Sequence, residues 1–308
     1  MPSQPSMSDT RPPLAILQES CVTEANRDTT PCGYLPSETI RSIFDAEIPS
    51  SFLEPVVPRD NPGADLLLGQ PGAGKSTFAT GGRSPWYRQR SRICTDDYKL
   101  LHPQFEELVR ECPEEVGRLV REVIRAWHRM SEEYVRSRRG DVLIEMAPGS
   151  PDEFLRTARD FHDAGYTVRV LLLAVRSADS LQGAALRHAR FYGMGAPAQI
   201  TSRECHDLCH KALADIAEGI EGEDCVDAIV VKRRDGEVVH KAARTEAGAW
   251  DRLGCAAVVK SEHLRLYSPA EAARFLRNQD LLRDTVPHRG QEIAEIDRRA
   301  APFLPFTA

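Results

Sequence analysis

No apolar run in this 308-residue chain approaches the roughly 18 residues that a membrane-spanning helix needs. The opening Met-Pro-Ser-Gln-Pro-Ser also lacks a charged segment followed by an apolar one, so the expectation is a soluble, cytoplasmic protein with no membrane partner. An excess of basic charge is missing too. The 40 Lys and Arg are outnumbered by 46 Asp and Glu, giving a formal net charge of −6, which argues against a broad nucleic-acid footprint. The eight cysteines are scattered through a chain large enough to build its own core, so they are expected as reduced thiols. Cys205 and Cys209 share a helix face, but no second C-x-x-C or H-x-x-H pair accompanies them, and they are expected as plain helix residues rather than zinc ligands.

What the chain does have is a glycine-rich turn behind a short apolar run. Gly69-Gln70-Pro71-Gly72-Ala73-Gly74-Lys75-Ser76, followed by Thr77, fits the P-loop pattern G-x-x-x-x-G-K-[ST]. The glycines let successive backbone N–H groups turn inward toward phosphate oxygens, and the following helix adds its positive end. Lys75 is placed to reach the β- and γ-phosphates, and the Ser76 hydroxyl to sit on Mg²⁺.

Along the chain, residues 1–33 are rich in Pro, Ser and Thr and are expected to form a flexible tail. A helix is expected from Leu35, the P-loop strand next, and then a helix cut short by Gly81-Gly82. Arg83, Arg88, Arg90 and Arg92 surround Trp86 and Tyr87 in a segment expected to be a solvated loop, with a phosphate-facing patch as the alternative. A weak strand at 91–95 delivers Asp96 and Asp97. A long helix is expected from Pro113 to about Arg139, and the strand 141–146 carries Glu145 near its end. A helix at 151–164, a strand at 167–175, helices at 177–192 and 201–220, and a hairpin around Arg233-Arg234-Asp235-Gly236 follow. Helical patterns return near 269–283 and 288–300.

Alternating strands and helices imply an α/β fold: a parallel sheet with helices on both faces, spanning 34–245, with a C-terminal helical extension over 246–308. Ligands gather at the carboxyl ends of such strands, and the P-loop, Asp96 and Glu145 all fall there. Phosphoryl transfer also needs a base and positive charge at the transferring group. Asp96 and Asp97 are candidates for the base, with a role behind Mg²⁺ as the alternative. Arg187, Arg190 and Arg203 are candidates for the charge.

The P-loop, Asp96-Asp97-Tyr98 with His102-Pro103, Arg129-Met130-Ser131-Glu132, Ile144-Glu145, Gly165-Tyr166, Arg187 with Tyr192, and Thr201 with His206-Asp207 occur in an order that resembles the zeta toxins. These are UDP-N-acetylglucosamine kinases of bacterial toxin–antitoxin systems, and the resemblance covers about residues 35–242. It implies a P-loop kinase-like fold and a kinase using ATP or GTP with Mg²⁺ on the 3′-hydroxyl of the amino-sugar. It further implies that Lys75 binds phosphates, that Asp96 takes the hydroxyl proton, and that Glu132 and Glu145 line the sugar-nucleotide site. Arg187 would stabilise the γ-phosphate, and a small helical antitoxin is an implied partner.

Two positions depart from the family's pattern. Gln199 stands on the substrate side where an arginine is usual, so Arg190 or Arg203 is expected to substitute for it or activity to be weak. Met146-Ala147-Pro148 follow Glu145 where a glycine and a threonine are usual, which opens the choice of acceptor. The alternatives are a P-loop kinase for another small hydroxyl compound and a nucleotide-binding regulatory module with little transferase activity.

Overall fold

A single six-stranded sheet, ordered β2-β3-β1-β4-β5-β6, carries the P-loop near its centre. The computed structural model describes residues 32–80 and 90–305. The expected tail, of which residues 1–31 are concerned, and Arg83, Trp86, Tyr87 and Arg88 lie outside the described residues.

In chain order the elements are α1 (Ser37–Ile48), β1 (Gly63–Leu68), α2 (Lys75–Thr80), β2 (Ser91–Cys94), α3 (Thr95–Tyr98), α4 (Phe105–Glu111), α5 (Val116–Leu119), α6 (Arg121–Ser137) and β3 (Val142–Met146). There follow α7 (Pro151–Asp163), β4 (Thr167–Leu173), α8 (Ser177–Gly193), α9 (Arg203–Gly219), β5 (Ala228–Lys232), β6 (Val238–Ala243), α10 (Cys255–His263), α11 (Pro269–Thr285) and α12 (Gly290–Ala300). The first five strands pair in parallel and β6 joins β5 antiparallel through the expected Arg233–Gly236 turn.

The central strands β1, β3 and β4 are near-continuous apolar runs because both faces are covered. Leu66, Leu68, Ile144, Val170 and Leu172 point into a core shared with Phe44 of α1, Trp127 of α6, Phe161 of α7 and Leu213 of α9. Their alternates Leu67, Leu143, Leu171 and Leu173 face the other way, against Ala73 and Ala79 around the P-loop helix. The period-2 alternation of side chains thus sorts one run of leucines onto two layers.

The long helix expected from Pro113 is broken: α5 ends at Leu119, Val120 carries φ −88° and ψ −1°, and α6 begins at Arg121. Gly117, a weak helix former, sits in the first of the two pieces. The C-terminal helices do not stand apart from the sheet domain. Phe275 and Leu282 of α11 and Ile293 and Ile296 of α12 bury against Ala178, Leu181, Ala185 and Ala189 of α8. Ser268 and Glu271 start α11 with a reciprocal capping box behind Pro269. α10 is a helix that periodicity did not reveal, its pattern being weak over nine residues. No helix among the described residues is long and apolar enough to cross a membrane.

Candidate functional site

β1, β2 and β3 are neighbours in parallel, with Leu67 and Cys94 both in register with Glu145, so their carboxyl ends form one rim. The P-loop leaves β1, α3 with Asp96 follows β2, and Glu145 sits one residue from the end of β3. The three features expected on one edge do meet there.

The P-loop needs its glycines for different reasons. Gly72 has φ +77° and Gly74 φ +101°, conformations that side chains resist. A β-carbon on Gly72 would also stand 2.0 Å from the Ser180 carbonyl oxygen, because α8 passes directly behind the loop. Gln70 is fully buried and fixes that packing, its Nε2 donating to Val175 O at 2.9 Å and Ser180 Oγ at 3.0 Å. Lys75 Nζ donates to Gly69 O at 2.7 Å and Gln70 O at 3.3 Å. Burial lowers the Lys75 pKa from its ordinary value, while Asp96 and Glu145 oppose the shift. At the first turn of α2, exposed Ser76 donates its hydroxyl to Glu145 Oε2 at 2.8 Å. Arg92 Nε holds Glu145 Oε1 at 2.7 Å, and Arg92 Nη1 reaches Asp97 at 2.7 Å.

Asp96 is half exposed and carries two cations. Lys99 Nζ donates to Oδ1 at 2.6 Å and Arg187 Nη1 to Oδ2 at 3.2 Å. Lys99 is the main reason its carboxyl lies far below the usual carboxylate range; Arg187 and Lys75 act the same way against the effect of burial. Arg187 also touches Thr201 Oγ1 at 3.4 Å. Gln199 joins the cluster indirectly, its Oε1 accepting from Lys99 at 3.0 Å.

Asp96, Lys75, Arg187, Glu145, Ser76 and Gln199 are therefore brought together. Glu132 is placed differently. It is buried on the core side of α6, where its carboxylate accepts from Thr157 Oγ1 at 2.7 Å and Arg156 Nη1 at 3.1 Å. Its neighbour Ser131 accepts from the Tyr98 hydroxyl at 2.9 Å, so it stands behind α3 rather than beside Asp96. Arg203 is engaged elsewhere, facing Asp207 at 3.6 Å and Glu295 at 3.9 Å, and among the described residues the ion pairs to Asp96 come from Lys99 and Arg187. Arg90 and Arg92 correct the expectation of a solvated loop. Arg90, just before β2, is paired with the buried Asp65 of β1, and Arg92 on β2 is paired with both Glu145 of β3 and Asp97.

Lys99 and Arg92 were not foreseen. Lys99 was findable, as it lies three residues after Asp96 in a helical turn; Arg92 depended on the pairing of β2 with β3. Arg234 is a third such residue. Its side chain lies 3.8 Å from where a β-carbon on Gly74 would be, and its guanidinium donates to Asp179 O at 2.6 Å. It stands at a cavity of about 250 Å³ bounded by Arg176, Gln182, Arg265 and Phe275. Cys209, expected as a plain helix residue, donates its thiol to Ala147 O at 3.3 Å, tying the loop after β3 to α9.

A hydroxyl beside a carboxylate at a P-loop offers the oxygen donors that Mg²⁺ takes, and Mg²⁺ ordinarily completes its shell with phosphates and water. Ser76 and Glu145 fit that ion. The arrangement can hold a polyphosphate on the P-loop with a carboxylate and an arginine at its far end.

The family model described as zeta toxin matches residues 51–245. Curated relatives include the zeta toxins of Enterococcus hirae and Streptococcus pyogenes, each 28% identical over 195 residues, and toxin PezT of Streptococcus pneumoniae, 25% identical over 193 residues. The first two alignments span 60% of this chain and 65% of the relative, so the chain covers less than two thirds of those proteins' length. For PezT the shares are 62% and 76%. Among solved structures, one from the PezAT chromosomal toxin–antitoxin system of Streptococcus pneumoniae superposes with a TM-score of 0.67 at 19% identity, over 86% of this chain and 98% of that one. That likeness shows a common fold.

Proposed function

The chain belongs to the zeta toxin family, and from that premise we propose that it is a small-molecule kinase, moving the γ-phosphoryl group of ATP or GTP to the 3′-hydroxyl of the amino-sugar of UDP-N-acetylglucosamine. The observation that carries this reading is the cluster in which Asp96 Oδ2 lies 3.2 Å from Arg187 Nη1, on the same rim as Lys75. A carboxylate and a guanidinium side by side are what an acceptor hydroxyl and a transferring phosphoryl group need as they approach each other.

In this mechanism the P-loop from Gly69 to Thr77 cradles the nucleotide phosphates and Lys75 leaves its carbonyl partners to bind them. Mg²⁺, held by Ser76 with Glu145 beside it, would supply charge neutralisation at the phosphates. Asp96 accepts the proton of the sugar hydroxyl as that oxygen bonds to the γ-phosphorus. The bond from the γ-phosphorus to the bridging oxygen breaks, and the nucleoside diphosphate leaves with the electron pair. Arg187 turns from Asp96 to the phosphoryl oxygens, where charge accumulates. Glu145 and Gln199 line the acceptor side, and Glu132 supports it from behind through Ser131 and Tyr98.

A second acceptor is favoured by one observation: the Ala147 carbonyl is taken by Cys209, and Leu208 packs at Gly149, so the loop after Glu145 has its own course along α9. Incubation with labelled ATP or GTP and a panel of hydroxyl compounds separates the readings. We expect phosphate on UDP-N-acetylglucosamine, reduced about a thousandfold by Asp96→Asn. Phosphate on a different hydroxyl compound alone overturns the sugar nucleotide as substrate, and nucleotide binding without transfer to any acceptor overturns the kinase.

The solved neighbour comes from a toxin–antitoxin system, and a small helical partner over this rim is part of the same proposal. Leu100, 79% exposed next to Lys99, gives such a partner an apolar contact. Competition between that partner and nucleotide is the expected behaviour.

A further inference from the structure

We propose that Lys99, seated on Gln199, is the positioning residue of the transfer site: it fixes Asp96 through Oδ1 and so leaves Oδ2 as the oxygen that meets the acceptor hydroxyl. The inference rests on the kinase reading and assigns a task to two residues of this chain that its sequence pattern left unexplained.

Asp96 is held by two cations that differ in kind. The Lys99 contact is short, at 2.6 Å, and its side chain is only 16% exposed; Arg187 reaches the other oxygen at 3.2 Å and is 44% exposed. A short bond from a shielded ammonium is a fixed one, and a long bond from an exposed guanidinium is the one a phosphate can take over. When Arg187 turns away, Oδ2 is released while Oδ1 stays bound. One oxygen is then an anchor and the other a base.

Lys99 is itself anchored. Its ammonium donates to Gln199 Oε1 at 3.0 Å, and Gln199 sits in a segment pinned on both sides. His188 Nδ1 lies 3.2 Å from Ala198 O, and Ile200 N donates to Pro113 O at 3.0 Å. On its other face the Gln199 amide lies against Gly117 of α5, its Nε2 2.9 Å from where a β-carbon there would be. A neutral amide oxygen is the right partner for an ammonium at this place. An arginine in the position of Gln199 would bring a second cation against Lys99 and offer it no acceptor. Gln199 therefore does not leave the site one charge short: Lys99 brings that charge from α3's end of the rim, and the amide is what accommodates it.

The charged groups facing Asp96 are Lys99, Arg187 from α8 and Lys75 from α2, with the thiols of Cys94 on β2 and Cys205 on α9 also in range. The experiment compares the wild type with Lys99→Met, Lys99→Arg, Gln199→Arg and the double variant Lys99→Met/Gln199→Arg. The readings are kcat and KM for the acceptor across pH and the titration of Asp96 by NMR. We expect Lys99→Met to lose about a hundredfold in kcat with little change in nucleotide affinity. Its acid limb should move up toward the ordinary carboxylate range and Asp96 should titrate higher with it, whereas Lys99→Arg keeps most of the rate. Gln199→Arg alone should lose rate and the double variant should recover part of it. Lys99→Met with wild-type kcat, or with an unmoved Asp96 titration, overturns the proposal and leaves the kinase reading standing. A wild type that transfers phosphate to no acceptor overturns both.

Discussion

His206 Nε2 lies 2.8 Å from Ser180 Oγ in the interior, and that hydroxyl also receives Gln70 of the P-loop at 3.0 Å. A fully buried imidazole is thus linked to the phosphate cradle by two hydrogen bonds through Ser180. Around it, the rings of His206 and His210 lie 6.2 Å apart and those of His210 and His263 4.4 Å apart, so a row of histidines links α9 to α10.

These histidines set an acid dependence of stability. Burial pushes His206 and His263 down to about 4, whereas in the unfolded chain they titrate near the ordinary value of about 6.5. Below pH 6.5 the unfolded state binds protons that the folded state refuses, so their contribution is complete above about 6.5 and is lost as pH falls to about 4. We expect the Tm to drop through this window, and His263→Gln to make the drop less steep by about one proton. A Tm independent of pH between 6.5 and 4 would contradict the burial of both rings.

Gly72→Ala tests the approach of α8 to the P-loop. A β-carbon would meet the Ser180 carbonyl oxygen at 2.0 Å, and φ is +77°. Backbone cannot yield as a flexible side chain can, so a loss of about 3 kcal/mol in urea unfolding is expected, together with weaker nucleotide binding. Gly165→Ala is the comparison: it shares the positive φ, at +78°, but has open space around it, so only about 1 kcal/mol should be lost.

The Ser76–Glu145 pair predicts how metal enters binding. Chelating Mg²⁺ should weaken ATP binding by the wild type at least about tenfold, whereas Ser76→Ala should bind weakly with or without the ion. Isothermal titration with and without EDTA reads both. Full Mg²⁺ dependence in Ser76→Ala would move the ion's site elsewhere.

Leu282 is fully buried between α11 and α8, the helix that carries Arg187. Leu282→Ala should cost about 3 kcal/mol in denaturant unfolding, a loss belonging to core positions. A cost below about 1 kcal/mol would mean that the C-terminal helices do not support α8.

Much of the architecture was legible because it rests on local rules. Short, near-continuous apolar runs marked the central strands, and a stripe at helical spacing marked α6. α8 and α9 were expected at 177–192 and 201–220 and occupy Ser177–Gly193 and Arg203–Gly219. The break before Arg121 and the helix α10 were not legible: one glycine, Gly117, is a faint signal inside a long apolar stripe, and the pattern of α10 is weak over nine residues. Glu132 shows the limit from another side. Its spacing gives no sign that Thr157 and Arg156 of α7 close over its carboxylate, because those contacts cross between helices.

By itself the sequence determined the phosphate cradle, since a loop of glycines followed by Lys75 and Ser76 has its chemistry written in consecutive residues. It also placed Asp96 and Glu145 at the carboxyl ends of strands, and the pairing of β2 with β3 then made those ends adjacent. Only the tertiary structure decided which cation serves Asp96. Arg190, Arg203 and Lys99 are all plausible in a line of text, and a charge acts over a few ångströms of space rather than over a number of residues. Folding turns Arg203 toward Asp207 and Glu295, and sets Lys99 between Asp96 and the amide of Gln199.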